Sequence, residues 1–487
     1  MRAPGRPLPT TFEQLEVIAL REPGRLAFVQ ERHRWTYGAL YLDIVRATRV
    51  LHATGVKRGE RVAVGVQGFQ VGLLLLLALE NLGAVTLSFL AEGDTDAAQV
   101  FALVDWVLCD RPCAGTGSAK FIAVDAAFVH RVESEPADEA KPFPREAVAA
   151  DEPFRISRTS GSSGRSKFML MTRHSQECWI AGVAQSAGLL PDSRALIVGP
   201  LLINSHFARA CACLRRGAAV LHMPAASLPG HDVTHVFTLP LLLEELLAAL
   251  PPTYAPPRPA KVCTLGGFVS QSLRVRASRA FGLPVVCRYA SNEIGEVCGD
   301  VDENGLGVLT AGVEVRIVDS GGDDVPAGEA GIIAVRTPGM VEGYIDNAPA
   351  TEAAFHGGWF LSGDWGTLVA PRVIRLMGRH DEIVSAGGIK VAISQIEDQV
   401  RRAVGPRDCA VAAINLDSGE TTLGIALVMD GDVARDDVRR TLAQHLQFGL
   451  ATGARVLFVT EIPRVGMAKV DRAALLRTFE SPPPGSL

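Results

Sequence analysis

The residues Thr159, Ser160, Gly161, Ser162, Ser163 and Gly164, followed by Arg165, Ser166 and Lys167, set hydroxyls, glycines and cations side by side. A segment of this kind can offer backbone N–H groups, hydroxyls and a lysine ammonium to a phosphate. It does not meet the Walker spacing, which sets a Gly-Lys pair before Ser or Thr, because Gly161, Gly164 and Lys167 stand as GSSGRSK. On this segment alone a phosphate cradle and a Ser/Gly linker both stay open. The apolar run FMLMT that follows ties the loop to a strand, which speaks against an idle linker.

Further along, charged groups recur in segments of similar texture. YASNEIGEV, residues 289–297, follows an apolar run and places Glu293 where a strand end projects side chains into the ligand crevice of an α/β sheet. GGWFLSGDWG, residues 357–366, holds Asp364 among glycines and aromatics, a setting suited to an acid that accepts from sugar hydroxyls. GRHDEIVSAGGIKV, residues 378–391, gathers charges and glycines where the composition changes, and PRVGMAKVDR, residues 463–472, puts Lys469 near the chain end. Taken singly, Asp364 fits a turn acid, Glu293 a surface carboxylate and Lys469 a solvated lysine. Their joint order is what points to chemistry.

The elements that must position these groups are legible as patterns. Short apolar runs, RVAVGV at 61, VTLSFL at 85, ALIVG at 195, AAVLHM at 218, HVFTL at 235, KVCTLGG at 261 and PVVCRYA at 284, alternate with longer helical segments. That alternation predicts βα units and largely parallel sheets. Residues 131–153, acidic and proline-containing, are expected to be a surface connection. From about residue 310 closely spaced strands with Gly-rich turns predict a hairpin or small barrel. The last hundred or so residues mix the amphipathic helices SQIEDQVRRAV and RDDVRRTLAQHLQFGL with the strands CAVAAI, TLGIALVM and RVLFV, a small α+β domain.

The bulk numbers fit a multi-unit enzyme. A chain of 487 residues is too long for one ordinary core. The 48 Lys+Arg against 53 Asp+Glu leave a net charge of −5, too mild for a dedicated nucleic-acid or membrane-surface binder. Nine scattered cysteines show no zinc spacing and suit a reducing cytoplasm. The N-terminus has no uninterrupted apolar stretch, so no secretory signal is read. VGLLLLLAL, residues 71–79, is too short for a membrane span and is expected to be a buried helix.

The ordered set resembles the adenylate-forming superfamily of acyl-CoA synthetases, peptide-synthetase adenylation domains and luciferases. The similarity runs from RWTYGAL to GMAKVDRAAL, almost the whole chain. TSGSSGRSK resembles the family's phosphate loop, LGGF at 265–268 the turn along adenine, and YASNE the Y-G-x-T-E segment. WFLSGD is similar to G-W-F-x-T-G-D, GRHDEIVSAGGIKVAISQIE to the hinge and the segment after it, and GMAKVDR to the closing lysine motif.

This resemblance implies an α/β fold: a large N-terminal adenylating domain, residues 1–379, of two βα-type subdomains plus a small barrel, and a small mobile α+β domain, residues 380–487, carrying the catalytic lysine. It implies ATP and Mg²⁺ as cofactors, a small carboxylic acid as substrate, and CoA or the phosphopantetheine of a carrier protein acting in trans as acceptor. Thr159 to Gly164 and Lys167 would cover the β- and γ-phosphates, and Glu293 would hold Mg²⁺. Gly266, Gly267 and Phe268 would flank adenine beside Tyr289, Ala290, Ser291 and Asn292. Asp364 and Arg379 would fix the ribose, and Lys469 would bridge the acyl carboxylate and the α-phosphate. Asp381 would be the hinge, with Gly387, Gly388 and Lys390 on the thiol-transfer face. Asn204, Ser205 and His206, with Gly266 and Ser291, would line the acid pocket.

Some positions depart from the family pattern. Ser166 and Phe168 replace a usual Pro and Gly of the phosphate loop, Asn292 replaces Thr, Ala290 a Gly near the acyl pocket, and Ala468 the Gly before the closing lysine. None of these changes removes a charged group. Two other outcomes stand beside the thiol ligase: an adenylating enzyme with an amine or other nitrogen acceptor, and a catalytically silent nucleotide-binding module.

Overall fold

Strands covered by helices on both faces must be apolar on both faces, and the runs read above have that character. A computed structural model of the chain describes residues 8–31, 33–113, 115–136, 148–160, 166–267, 269–386, 389–415, 421–431, 434–446, 454–465, 469–483 and 486. Its first sheet has six strands in the order Lys120–Ala123, Trp106–Cys109, Arg61–Gly65, Val85–Ser88, Pro153–Ser160, Ser166–Thr172. All neighbours are parallel except the last two, which form an antiparallel hairpin. The helix Phe69–Leu82, which contains VGLLLLLAL, is buried along most of its length. No helix among the described residues is long and apolar enough to cross a membrane.

The second sheet is parallel through Val286–Ser291, Lys261–Leu265, His235–Thr238, Arg194–Ile197, Ala219–Leu221 and Leu26–Gln30, and closes with the antiparallel edge strand His33–Thr36. At its other side Val286–Ser291 turns back against Gly295–Gly299. From there an antiparallel series continues through Leu306–Leu309, Val373–Arg379, Trp359–Ala370, Gly331–Arg336 and Glu314–Val318. The strands expected as a hairpin or small barrel thus extend the second sheet, with Val286–Ser291 shared between the parallel and antiparallel parts.

The expected surface connection begins inside a helix instead. Arg131 to Ser134 complete the helix Ala126–Ser134, whose Asp125 cap accepts from the Phe128 N–H at 2.9 Å. Phe128 and Val132, one turn apart, are buried, and that apolar pair outweighs the acidic texture around it. Residues 137–147 lie outside the described set.

After the strand Val373–Arg379 the chain makes a short turn, His380–Glu382, and enters a smaller C-terminal domain. Here Asp408–Asn415, Thr421–Val428 and Arg455–Phe458 form a sheet, with the helices Ile393–Val404, Arg435–His445 and Arg472–Glu480. Ile396, Val400, Val411, Ile425 and Leu442 share one apolar core there, and Leu475 and Phe479 belong to a second with Ala410 and Leu457.

Candidate active site

The hairpin of the first sheet sets the site's frame. Thr159 pairs across it with Lys167 and Ser160 with Ser166. Gly161, Ser162, Ser163 and Gly164, and the side chain of Ser160, lie outside the described residues. On the strands themselves Arg158 donates to Asp94 at 2.8 and 2.7 Å and to Asp96 at 3.1 Å, and the Ser166 hydroxyl donates to Asp96. Burial raises the Asp94 carboxyl, but the Arg158 guanidinium and the Leu90 and Asp96 N–H groups outweigh it and hold the group below its ordinary range. This half-buried ion-pair set ties the hairpin strands to Asp94 and Asp96.

Glu293 is 4% exposed and follows the end of Val286–Ser291. The Tyr344 hydroxyl donates to its Oε1 at 3.0 Å, and the Lys167 ammonium lies 4.9 Å from the centroid of the same tyrosine ring. One aromatic side chain therefore joins a cation from the first sheet to a carboxylate from the second. Burial, with the adjacent Glu293 charge adding to it, pushes the Tyr344 hydroxyl well above its ordinary range, so it stays a donor. Two hydrogen bonds to backbone carbonyls hold the arrangement: the Asn292 side-chain amide donates to the Arg158 carbonyl at 2.9 Å, and the Ile345 N–H to the Phe168 carbonyl at 2.7 Å.

A second group forms where the antiparallel strands cross. Asp364 and Arg379 face each other in register. The Tyr289 hydroxyl donates to Asp364 Oδ2 at 2.5 Å, and Arg379 Nη1 donates to Oδ1 at 3.3 Å and to the Ser362 carbonyl at 3.0 Å. Burial and the Asp364 carboxylate raise the Tyr289 hydroxyl far above its usual range. Gly266, at the end of Lys261–Leu265, has φ +82°, a turn that glycine takes without strain. Gly267 follows, and Phe268 lies outside the described residues.

Asn204, Ser205 and His206 open the helix Asn204–Arg215 and are all buried. Asn204 is already engaged: its carbonyl oxygen accepts from Arg155 Nε at 3.0 Å and its amide donates to the Met171 sulfur at 3.4 Å. His206 Nδ1 bonds the Pro200 carbonyl at 3.1 Å, and burial, followed by the nearby Arg209 charge, pulls its pKa down to about 3. It is a neutral imidazole at physiological pH. Ser205 Oγ and Ser291 Oγ are buried without a partner among the described residues.

Residues 15–345 match the family model described as AMP-binding enzyme. The chain belongs to that family. A feruloyl-CoA synthase of an Amycolatopsis species is 27% identical over 475 residues, covering 91% of this chain and 94% of its own. A fatty acid–acyl-carrier-protein ligase of Mycobacterium marinum is 24% identical over 518 residues, covering 96% and 97%. In fold the chain is similar to O-succinylbenzoate coenzyme A synthetase of Bacillus subtilis, solved with ATP and a magnesium ion: TM-score 0.81, 19% identity, 95% of this chain and 99% of that one.

In this AMP-binding enzyme the remaining candidates sit on C-terminal elements, apart from the sheets that hold Lys167, Glu293 and Asp364. Asp381 lies in the turn His380–Glu382, Lys390 pairs through its backbone with Ser385, and Lys469 pairs with Val465. The side chains of these residues, and Gly387 and Gly388, fall outside the described set. Just beyond Lys469, Arg472 donates to Glu397 at 3.1 Å and to the Val411 carbonyl at 2.6 Å, which fastens the closing segment to the small domain's core.

Sequence reasoning missed Tyr344 and Arg155. Tyr344 follows Gly343 in a segment with no charge spacing of its own, and a lone Arg in an apolar strand carries no mark of a hydrogen-bond hub. The one available signal was Arg155 itself, a cation within the run PFRI.

Proposed function

We propose that this AMP-binding enzyme is an ATP-dependent, AMP-forming carboxylic acid ligase. A carboxylate oxygen of the acid attacks the α-phosphorus of ATP, pyrophosphate leaves, and the resulting acyl-adenylate passes its acyl group to a thiol with release of AMP. The observation that carries this reading is the meeting of Lys167 and Glu293 on Tyr344 beside the Thr159–Lys167 hairpin. Bringing two anions together demands donors and cations on one side and a metal-binding carboxylate on the other, and that junction supplies both kinds of group.

Among the described residues no three His, Cys, Asp or Glu side chains cluster as a metal cage. A lone buried carboxylate such as Glu293 fits Mg²⁺, which is held by one or two carboxylates with substrate phosphates. When bound, the ion neutralises developing phosphate charge. Thr159, Ser160, Gly161, Ser162, Ser163, Gly164 and Lys167 are assigned to the β- and γ-phosphates. Asp364, steadied by Tyr289 and Arg379, accepts from the ribose hydroxyls, and Gly266, Gly267 and Phe268 border adenine. Lys469 is assigned to the acyl carboxylate and α-phosphate, Asp381 to the hinge between domains 1–379 and 380–487, and Gly387, Gly388 and Lys390 to the thiol face. CoA is the acceptor favoured by the synthase relatives; the Mycobacterium marinum relative supports a carrier protein in trans as the alternative. Nine cysteines, all free, suit a reducing cytoplasm.

The test is acid-dependent exchange of pyrophosphate into ATP, followed by thiol trapping with CoA. Exchange with at least one acid, lost in Lys469→Ala and Glu293→Gln, is the expected result. Nucleotide binding without exchange for any acid would favour the silent module, and undiminished exchange in Lys469→Ala would sink the catalytic assignment. Exchange without thioester on CoA turns the acceptor to a carrier protein or a nitrogen nucleophile.

A further inference from the structure

Three arginines, Arg155, Arg173 and Arg209, are each 1% exposed. The first two show how this fold seats a resident buried cation. Arg155 uses its three nitrogens on four oxygens, of Asn204, Thr86, Ser88 and Leu201, at 2.8–3.3 Å. Arg173 pairs with Glu80 at 2.5 Å and with Glu177 at 3.2 Å. Arg209 differs from both. It donates no hydrogen bond to any described residue, its Nη1 is buried without a partner, and its guanidinium carbon stands 4.9 Å from the centroid of the Phe237 ring. The charges nearest to it, Arg288 and Glu296, are taken up with each other at 2.7 Å. Burial lowers the Arg209 guanidinium to about 10, which leaves it charged at neutral pH.

Other buried polar groups on neighbouring elements are unmatched as well. Gln176 is 0% exposed, and neither its amide oxygen nor its nitrogen has a partner. The Trp179 indole nitrogen, Ser205 Oγ and Ser291 Oγ are in the same condition. The elements that carry them pack against one another: the helix with Gln176 and Trp179 contacts both the helix with Ser205 and Arg209 and the strand Gly295–Gly299. Gln176 and Trp179 lie on the helix Arg173–Ala187, and Ser205 and Arg209 stand one turn apart on the helix Asn204–Arg215. The Trp179 nitrogen lies 3.8 Å from where Gly295 would carry a Cβ, and Gly295 pairs with Ser291. Phe237, Cys263 and the flanking Leu265 and Ala290 belong to the core that these two helices cover. The group therefore lies against the strand end that carries Ser291 and Glu293. A site for a plain hydrocarbon tail would be lined by apolar groups; these packed elements instead bury a positive charge, an indole N–H, an amide and two hydroxyls that have no partner among the described residues.

We propose that Arg209 is the specificity residue of the acid site and that the acid adenylated here is a dicarboxylic acid, one carboxylate reacting and the other received by Arg209. This rests on the adenylation reading above and names its substrate class. A planar guanidinium accepts a carboxylate through two parallel hydrogen bonds, and donors from Gln176 and Trp179 satisfy lone pairs that the arginine does not reach.

The experiment compares wild type with Arg209→Met in pyrophosphate exchange, using succinate, glutarate and adipate against butyrate, valerate and hexanoate. Wild type is expected to prefer dicarboxylates, and the variant to reduce the dicarboxylate-to-monocarboxylate ratio of kcat/KM by about a hundredfold, the scale for removing one member of a buried charge pair. Thermal melts supply a readout independent of turnover. Dicarboxylates should raise the wild-type midpoint and leave that of Arg209→Met unmoved. The ligand-free midpoint should rise in Arg209→Met, where an unmatched buried charge is removed, and fall in Arg155→Met. Equal exchange with monocarboxylates in wild type and an unchanged ratio in the variant would overturn the inference while leaving the ligase reading intact. If no acid supports exchange the ligase reading falls, and the melts decide for Arg209: a dicarboxylate shift lost in the variant supports it, and no shift overturns it.

Discussion

Tyr344 holds Glu293 with its hydroxyl at 3.0 Å and presents its ring to the Lys167 ammonium at 4.9 Å, so one side chain serves a cation and an anion from two different sheets. The two contacts separate by mutation. Tyr344→Phe keeps the ring and deletes the donor. A hydrogen bond to a charged group is worth about 1.5–3 kcal/mol, so kcat/KM in exchange should fall about tenfold to a hundredfold. The Mg²⁺ concentration for half-maximal rate should rise with it, because Glu293 loses the bond that orients it. Tyr344→Ala should cost more, through the lost cation–π contact. A Tyr344→Phe enzyme with wild-type Mg²⁺ dependence would separate Tyr344 from the proposed metal role of Glu293.

Asp364 accepts from Tyr289 and from Arg379 on its two oxygens. In the proposed role it grips the nucleotide equally in ground and transition states, so Asp364→Asn should raise the KM for ATP roughly tenfold with a smaller change in kcat. Asp364→Ala should also lose about 1–2 kcal/mol of stability, since the half-buried Tyr289 hydroxyl is left without the Asp364 acceptor. Steady-state kinetics over ATP concentration and urea melts check the two halves. A loss confined to kcat would move Asp364 from nucleotide binding into the chemical step.

The parallel strands were legible because a strand covered on both faces must be largely apolar, as in the buried VAV of Arg61–Gly65 and AVL of Ala219–Leu221. The helix Phe69–Leu82 was legible for the same reason. The continuity of the second sheet was not, because the pairing of Leu306–Leu309 with Val373–Arg379 joins strands far apart in the chain, and local patterns do not encode it. Of the site, the ordered motifs exposed Lys167, Glu293, Asp364 and Arg379, since charge beside glycine stands out in a sequence. Tyr344, Arg155 and Arg209 were hidden: a buried arginine and a surface arginine are the same letter, and only burial with the presence or absence of partners tells them apart.

Arg155 knits the start of the helix Asn204–Arg215 to the first sheet through Asn204, Thr86, Ser88 and the Leu201 carbonyl. Arg155→Met strands several buried acceptors at once and should destabilise the fold by about 3–5 kcal/mol in urea unfolding. Arg155→Lys should recover little, because one ammonium does not reproduce a three-nitrogen fork. Adding Asn204→Leu to Arg155→Met should return part of the loss by removing an orphaned amide. Full additivity of the two substitutions would mean that the pair does not act as a unit.

His206 makes stability depend on pH in a defined window. Its folded pKa, about 3, lies below the ordinary 6.5 because burial and the Arg209 charge oppose the imidazolium. The unfolded chain therefore takes up this proton more readily than the folded one. Above about pH 6.5 the residue's contribution to stability is fully present, and it is lost as pH falls toward the folded value, at up to about 1.4 kcal/mol per pH unit. Between about pH 6.5 and pH 5 that amounts to roughly 2 kcal/mol. His222 and His235 are also depressed by burial and add slopes of their own, so the comparison must be made against a variant. His206→Asn retains a neutral side-chain donor for the Pro200 carbonyl and removes the titration. Urea midpoints of wild type and variant, taken at both pH values, should converge on acidification by the stated amount. Parallel curves would show that His206 takes up its proton in the folded protein as easily as in the unfolded chain, and so is not held neutral by the interior around Arg209.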